Sequence, residues 1–223
     1  GIIIVAGGIS IVQQEGDDPL SCYEKTSQLN GGTLVIASDV TLPYLGMSNA
    51  RLVIDNGAKF NTWGNIKSGA AISYSKYTSG TIDIKDGIFK PSGRTIFGNT
   101  AGKKVTVNIY ENGVLDSGSC GFRLGNNGYA DINVRGGVFF FRSNGDCNFA
   151  EHGSTRLNIY SGRVVVGNNG TGDDRLKIYS TSTKEPVEEK NAVNLAGGEL
   201  ICGGFKNETQ AARKNDPIYL FLD

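Results

Sequence analysis

The sequence is short of several things, and each shortage narrows what the chain can do. It holds a single histidine in 223 residues. That residue, His152 in Glu151-His152-Gly153, reads as a loop residue, and no Ser-His-Asp set can be assembled around it. Four cysteines occur, Cys22, Cys120, Cys147 and Cys202, and no two are spaced C-x-x-C. A zinc site or a thioredoxin-like centre is therefore not expected. There is no excess of charge, with 22 basic residues against 22 acidic. Non-specific binding to nucleic acid or to an anionic membrane needs a basic excess, so neither is expected. Long apolar runs are missing too. The stretch from Gly1 to Ile11 is broken by Gly7-Gly8 and is too short to span a bilayer, so no membrane insertion is expected. The chain opens on Gly1 with neither an initiator methionine nor a signal peptide. The expectation is a mature form freed of its leader, or a trimmed chain.

Proline is scarce, at 5, and glycine is abundant, at 32. That balance suits many short strands joined by tight turns. The strands announce themselves as a repeat: Ile82-Asp83-Ile84, Val107-Asn108-Ile109, Ile132-Asn133-Val134 and Leu157-Asn158-Ile159. Their central residues, at positions 83, 108, 133 and 158, are 25 apart each time. A glycine follows each one closely: Gly87, Gly113, Gly137 and Gly162. A strand–Gly–strand unit at a fixed period predicts a stack of similar turns of chain, a solenoid. After Gly162 the period breaks. The next unit, Val193-Asn194-Leu195, is centred 36 residues beyond Asn158. Between them Arg175-Leu176-Lys177-Ile178-Tyr179 echoes Arg156-Leu157-Asn158-Ile159-Tyr160. It predicts either a short coil of its own or an insertion in one coil.

Alternation assigns the faces. The aliphatics flanking each central residue belong in the core, so Asp83, Asn108, Asn133 and Asn158 point outward. Beside them run two further outward rows. One holds Thr81, Thr106, Asp131 and Arg156, and the other Lys85, Tyr110, Arg135 and Tyr160. Two readings of this face stand side by side. Stacked amides can bond to one another along a solvated ladder. Alternatively, planar amides next to tyrosines can bind a glycan, with Lys85, Arg135 and Arg156 suiting an acidic sugar. Further ladders are predicted from Gly93–Phe97, Gly118–Phe122 and Gly145–Phe149. They would stack Thr95, Cys120 and Cys147 in one row and Phe97, Phe122 and Phe149 in another. Neighbouring turns lie about 4.8 Å apart, close enough for a Cys120–Cys147 disulfide or for two packed thiols.

At the N-terminus, Asp18 as N-cap and Pro19 in the first turn predict a short helix over 17–30 that puts Leu20, Tyr23 and Leu29 on one face. Asn30-Gly31-Gly32 would stop it. A second short helix is expected from Glu208 to Lys214, followed by a closing strand from Ile218 to Leu222. The division expected is 1–32 as N-terminal strand and capping helix, 33–205 as the stacked coils, and 206–223 as a C-terminal cap, all in one structural domain.

The order short helix, Gly31-Gly32-Thr33-Leu34-Val35-Ile36, Asp39-Val40-Thr41-Leu42, then Leu52-Val53-Ile54-Asp55-Asn56-Gly57-Ala58 resembles the start of the pectate-lyase-like superfamily's solenoid. The resemblance covers about residues 20–205 and concerns architecture. It implies an all-β chain folded as a single right-handed parallel β-helix with a short N-terminal helix and a C-terminal cap. Proteins of that superfamily include polysaccharide lyases, polygalacturonases, phage tailspikes and adhesins. Those that cleave pectin hold substrate on an outer sheet face. Polygalacturonases carry an Asp, an Asp-Asp pair, a His-Gly and an Arg-Ile-Lys in that order. Here Asp173-Asp174 follows His152 and runs into Arg175-Leu176-Lys177, which argues against that activity. Lyases of the superfamily use an Arg or Lys base and often calcium, and Asp131, Arg135 and Arg156 are the residues that would serve. Asn169-Gly170-Thr171-Gly172-Asp173-Asp174-Arg175-Leu176 resembles one calcium-binding nonapeptide, with Asp173 and Asp174 as its carboxylates. Such sites need tandem copies to complete the oxygen shell, so no cofactor beyond this weak calcium candidate is expected. Trp63, Tyr74 and Tyr77 form either a second sugar-contact patch or a cover over the core.

The function expected is an extracellular or cell-surface structural or adhesive module. Its partners would be polysaccharide or glycoprotein glycans, or other copies of itself. The alternatives are a polysaccharide lyase-like enzyme and a fibre subunit that self-assembles through its terminal strands, Ile2–Val5 and Ile218–Leu222.

Overall fold

The computed structural model describes residues 1–7, 9–10, 28–42, 44–62, 75–93, 95–118, 122–142, 148–149, 153–167, 175–179, 191–208 and 219–222. Among these residues the chain is all β, with no helix. None is therefore long and apolar enough to cross a membrane.

In chain order the strands are β1 Ile2–Val5, β2 Ile9–Ser10, β3 Gln28–Asn30, β4 Thr33–Ile36, β5 Val40–Leu42, β6 Gly46–Ser48 and β7 Ala50–Ile54. Then come β8 Ala58–Thr62, β9 Ser75–Tyr77, β10 Gly80–Phe89, β11 Thr95–Phe97, β12 Lys104–Asp116, β13 Phe122–Leu124 and β14 Tyr129–Phe141. The last seven are β15 Asn148–Phe149, β16 Ser154–Val166, β17 Leu176–Tyr179, β18 Ala192–Leu195, β19 Glu199–Ile201, β20 Phe205–Glu208 and β21 Tyr219–Leu222. They form a 13-stranded sheet with main path β1-β4-β7-β10-β12-β14-β16-β18-β21 and an 8-stranded sheet ordered β20-β17-β15-β13-β11-β9-β6-β3. From β10 onward the chain alternates between them, entering the smaller sheet between successive strands of the main path. Adjacent parallel strands cannot be joined by a hairpin, and here a strand of the other sheet makes the crossover.

The strand pairs are parallel, and over the first part of each main-path strand the register is unbroken, so each position there becomes a column. Ile3, Leu34, Leu52, Ile82, Val107, Ile132, Leu157, Val193 and Leu220 make one column. Val5, Ile36, Ile54, Ile84, Ile109, Val134, Ile159, Leu195 and Leu222 make the next but one. From Leu52 to Val193 in the first and from Ile36 to Ile159 in the second, these aliphatics are buried, as their alternation requires. Branched side chains suit such strands because they pack against the same side chain one strand away.

Aromatic rings fill the space between the two sheets. Phe122 of the smaller sheet lies 5.1 Å from Phe97 in its own sheet, and 6.2 and 6.3 Å from Phe139 and Phe141 of the larger one. Tyr77 stacks on Phe97 at 4.9 Å and is fully buried, so it belongs to the core and offers nothing to a sugar. Trp63 and Tyr74 lie outside the described residues.

Two expectations change, and a third is decided between its alternatives. The helix over 17–30 lies mostly outside the described residues, but its last three residues are not helical. Gln28–Asn30 forms β3 and pairs with β6, Leu29 opposite Met47. Leu29 packs on the core there, and pairing satisfies backbone groups that a frayed last turn would leave open. At the other end Glu208 closes β20 and residues 209–218 lie outside the described residues, while β21 matches the closing strand expected. The phenylalanine ladder is displaced by two residues. Thr95 pairs with Phe122, and Phe97 with Leu124, which in turn pairs with Phe149. A two-residue shift keeps every side chain on its own face, so alternation alone cannot detect it. The row expected for Cys120 and Cys147 lies outside the described residues. Of the two readings of the echo at 175–179, the insertion in one coil matches the structure, and a coil of its own does not. The echo supplies β17 in the smaller sheet, paired with β15 and β20, on one lengthened passage from β16 to β18.

Phe122 touches rings on both sheets, so Phe122→Ala should lower stability by about 3–5 kcal/mol. Urea unfolding followed by circular dichroism measures it, and a loss under about 1 kcal/mol would show that the rings do not tie the sheets together.

Candidate functional site

The outward central column of the larger sheet carries the densest polar geometry. Asn108 Nδ2 donates to Asp83 Oδ1 at 2.8 Å, Asn133 Nδ2 to Asn108 Oδ1 at 3.0 Å, and Asn158 Nδ2 to Asn133 Oδ1 at 2.8 Å. Asn194 continues the row by donating to Asn158 Oδ1. Register explains it: these five residues face one another across successive strands. At that spacing a side-chain amide repeats the hydrogen bond its own backbone makes.

Every amide points the same way, its N–H end toward Asp83. The dipoles add, as in a helix, and their positive end meets a carboxylate. From the far side Arg51 closes the row. Its Nε donates to Asp83 Oδ2 at 2.7 Å, and its Nη2 lies at the same distance. Tyr110 also donates to Asp83 Oδ1, at 3.4 Å. Burial, then the charge and hydrogen bond of Asp83, push the Tyr110 phenol above its ordinary pKa.

The row expected to face solvent is thus largely closed. Asp83 is 2% exposed, and Asn133 and Asn158 are 8% each. They do point away from the aliphatic core. Each amide, however, is enclosed by the ones before and after it, and its hydrogen bonds run along the row. A buried network satisfied in this way stabilises a fold and offers little to a ligand.

The flanks separate what the sequence placed together. Asp131 pairs with Lys104 Nζ at 2.6 Å and lies in register with Arg156. Arg135 sits on the opposite flank, with its guanidinium 4.4 Å over the ring of Tyr160. Asp131, Arg135 and Arg156 therefore do not converge as one base-and-carboxylate set. The Lys85–Tyr110–Arg135–Tyr160 row is irregular as well. Register shifts fall between Ile84 and Asp86 and between Val134 and Arg135, and Arg135 pairs with Ser161 instead of Tyr160. A bulge there re-aims side chains. Lys85, Arg135 and Tyr160 are exposed, with Tyr160 at 44%.

Beside this flank runs a groove of about 510 Å³ lined by Gly136, Gly137, Val138, Gly162, Arg163, Gly197, Gly198 and Glu199. Sequence reading took the glycines as turn residues and missed that they floor a groove. The floor requires glycine: a Cβ on Gly137 would lie 2.2 Å from the Tyr110 carbonyl oxygen. With no side chains above it, peptide backbone lines the groove. Arg163 Nε and Glu199 Oε2, 2.8 Å apart, form its polar wall. Gly136 follows Arg135 in the chain, and the Tyr160 carbonyl lies against Gly197, so groove and aromatic flank are contiguous.

A second charged cluster also went unread. Arg142 grips Asp116 with two bonds, Nε to Oδ1 at 2.6 Å and Nη2 to Oδ2 at 3.0 Å. Gly118 N–H donates to Oδ1 at 3.0 Å, and Lys90 Nζ lies 3.3 Å from Oδ2. The signal available was charge of alternating sign at the ends of successive strands, at Lys90, Asp116 and Arg142. Burial alone would raise the Asp116 pKa. The Arg142 and Gly118 hydrogen bonds, with the charges of Arg142 and Lys90, outweigh burial and hold it below the usual carboxylate range.

Asp173, Asp174, Cys120, Cys147 and His152 lie outside the described residues. Among the described residues no group of three or more His, Cys, Asp or Glu side chains is placed to hold a metal ion. No protein-family model matches the chain, and no curated protein and no solved structure matches it either.

Asn133→Ala should cost about 1–3 kcal/mol in urea unfolding, because it strands the Asn108 oxygen and an Asn158 N–H inside the row. A loss no larger than that of Lys85→Ala would mean that the row adds nothing beyond solvation. Asp116→Asn should cost about 1–3 kcal/mol at neutral pH. Because the folded pKa is depressed, that advantage is present above about pH 4, the unfolded value, and fades as pH falls through the lower folded one. Unfolding curves for both proteins across the acid range should converge, and a gap independent of pH would remove the ion pair as its cause.

Proposed function

We propose that the chain is a right-handed parallel β-helix serving as a structural and adhesive module of the cell surface or extracellular space. On this reading it contacts glycans along the Arg135–Tyr160 flank and its adjoining groove. The β-helix reading is supported by alternation between two sheets, by parallel pairing, and by columns of like residues. Right-handedness follows from the strong preference of parallel β-crossover-β connections for that hand. A stack held by a satisfied amide row and a filled aromatic core is stiff, which suits display and attachment.

The observation that carries the glycan reading is the exposed Tyr160 ring on a residue whose backbone carbonyl lies against Gly197 of the glycine-floored groove. Sugars bind through an apolar ring face set against a platform, with polar groups fixing the hydroxyls. Tyr160 supplies the platform, and the peptide floor, Arg163 and Glu199 supply the polar groups. Arg135 on that ring, with Lys85 farther along the flank, adds positive charge that favours acidic sugars. The amide row lies beneath as scaffold.

A glycan array followed by calorimetry tests this. Tyr160→Ala should weaken binding at least about tenfold, or about 1.4 kcal/mol, while the fold is kept. Arg135→Ala should lose preference for uronic-acid glycans over neutral ones. Unchanged binding by Tyr160→Ala would place any glycan contact elsewhere on the molecule.

A further inference from the structure

The larger sheet has two terminal strands on its main path, β1 and β21, and their residues occupy the same columns. Ile3 stands where Leu220 stands at the other end, Ile4 where Phe221 stands, and Val5 where Leu222 stands. The outward central column changes character along its length. It runs Ile4, Val35 and Val53, then the polar row Asp83 to Asn194, then Phe221. Polar residues fill its middle, and both ends are apolar. These ends are also open to solvent, with Ile4 64% and Phe221 40% exposed. Such strands are templates for another chain, and this one carries no charge within β1 or β21 to discourage pairing.

The geometry points to head-to-tail assembly, with β21 of one copy pairing in parallel with β1 of the next. Translation along the stack keeps every strand parallel and continues every column. Leu220 meets Ile3, Phe221 meets Ile4, and Leu222 meets Val5. The smaller sheet follows the same rule, because it ends on β3 near the N-terminal side and on β20 near the C-terminal side. A two-fold pairing of β1 with β1 would run the strands antiparallel and interrupt the columns. The head-to-tail contact is heterologous and does not close on itself, so it extends as a filament. It rests on the stacking alone and not on the glycan contact.

Sedimentation velocity and negative-stain imaging of the intact chain over a concentration series test the proposal. Elongated oligomers that lengthen with concentration are expected. Ile4→Lys blocks one end and Leu222→Lys the other, and each variant alone should sediment as monomer. Mixed together, they should give dimers that grow no further, because one free head meets one free tail. Both positions are largely solvent-exposed, and unchanged circular dichroism and melting of each variant confirm that its fold is intact. A wild-type chain that stays monomeric at every concentration overturns the proposal. So does a pattern in which Ile4→Lys abolishes association and Leu222→Lys leaves it intact, since that marks two-fold pairing through β1.

Discussion

Register is the constraint on which this molecule depends. Parallel strands about 4.8 Å apart set each side chain directly against its counterpart in the next strand. A column therefore succeeds or fails as a unit. Aliphatic columns succeed by burying apolar area against one another, and the Ile82–Val107–Ile132–Leu157 series does so with its residues buried. A column of like charges would fail by repulsion. A column of amides succeeds because each group is both donor and acceptor, and the spacing suits the bond between them.

The amide row shows how such a column must end. Stacked amides are self-complementary only in the interior, and the first N–H needs an acceptor of its own. Asp83 supplies one, and as an anion it also answers the summed dipole. Its charge is then met by Arg51, so that the carboxylate can be almost wholly buried without being stranded. At the other end Asn194 is followed in its column by Phe221, which has no polar side-chain atom. The row is thus finite by sequence, bounded by a clamped carboxylate on one side and an apolar cap position on the other.

The same regularity confines released side chains to the irregular places. Where strands stay in register, side chains satisfy their neighbours. Where register shifts, between Val134 and Arg135, side chains are released: Arg135 turns onto Tyr160, and Tyr160 stays exposed. The glycine row beside it has no side chains to fill its own surface, which is why a groove forms there. Order in the columns and irregularity at the bulge are two results of one packing rule, and the second leaves Arg135 and Tyr160 exposed.

Much of this was legible in the chain itself. The 25-residue spacing of Asp83, Asn108, Asn133 and Asn158 foretold their stacking, and period-two alternation correctly sent their aliphatic neighbours inward. Parity sets facing, and parity is local. What the chain could not disclose was anything that parity leaves unchanged or that depends on enclosure. The Phe97 ladder pairs with Leu124 and not Phe122, because a shift by two preserves every face. Asp83, Asn133 and Asn158 look solvent-facing in sequence but are buried, because burial depends on what stands beside a residue in space. Arg51, 32 positions before Asp83, and Arg142, 26 after Asp116, become their partners only when the sheet aligns them. The periodic sequence by itself determined which residues stack and which way they face. Only the tertiary structure decided the final register, the burial of the polar row and the opening of the groove, since each arises from contacts between strands far apart in the chain.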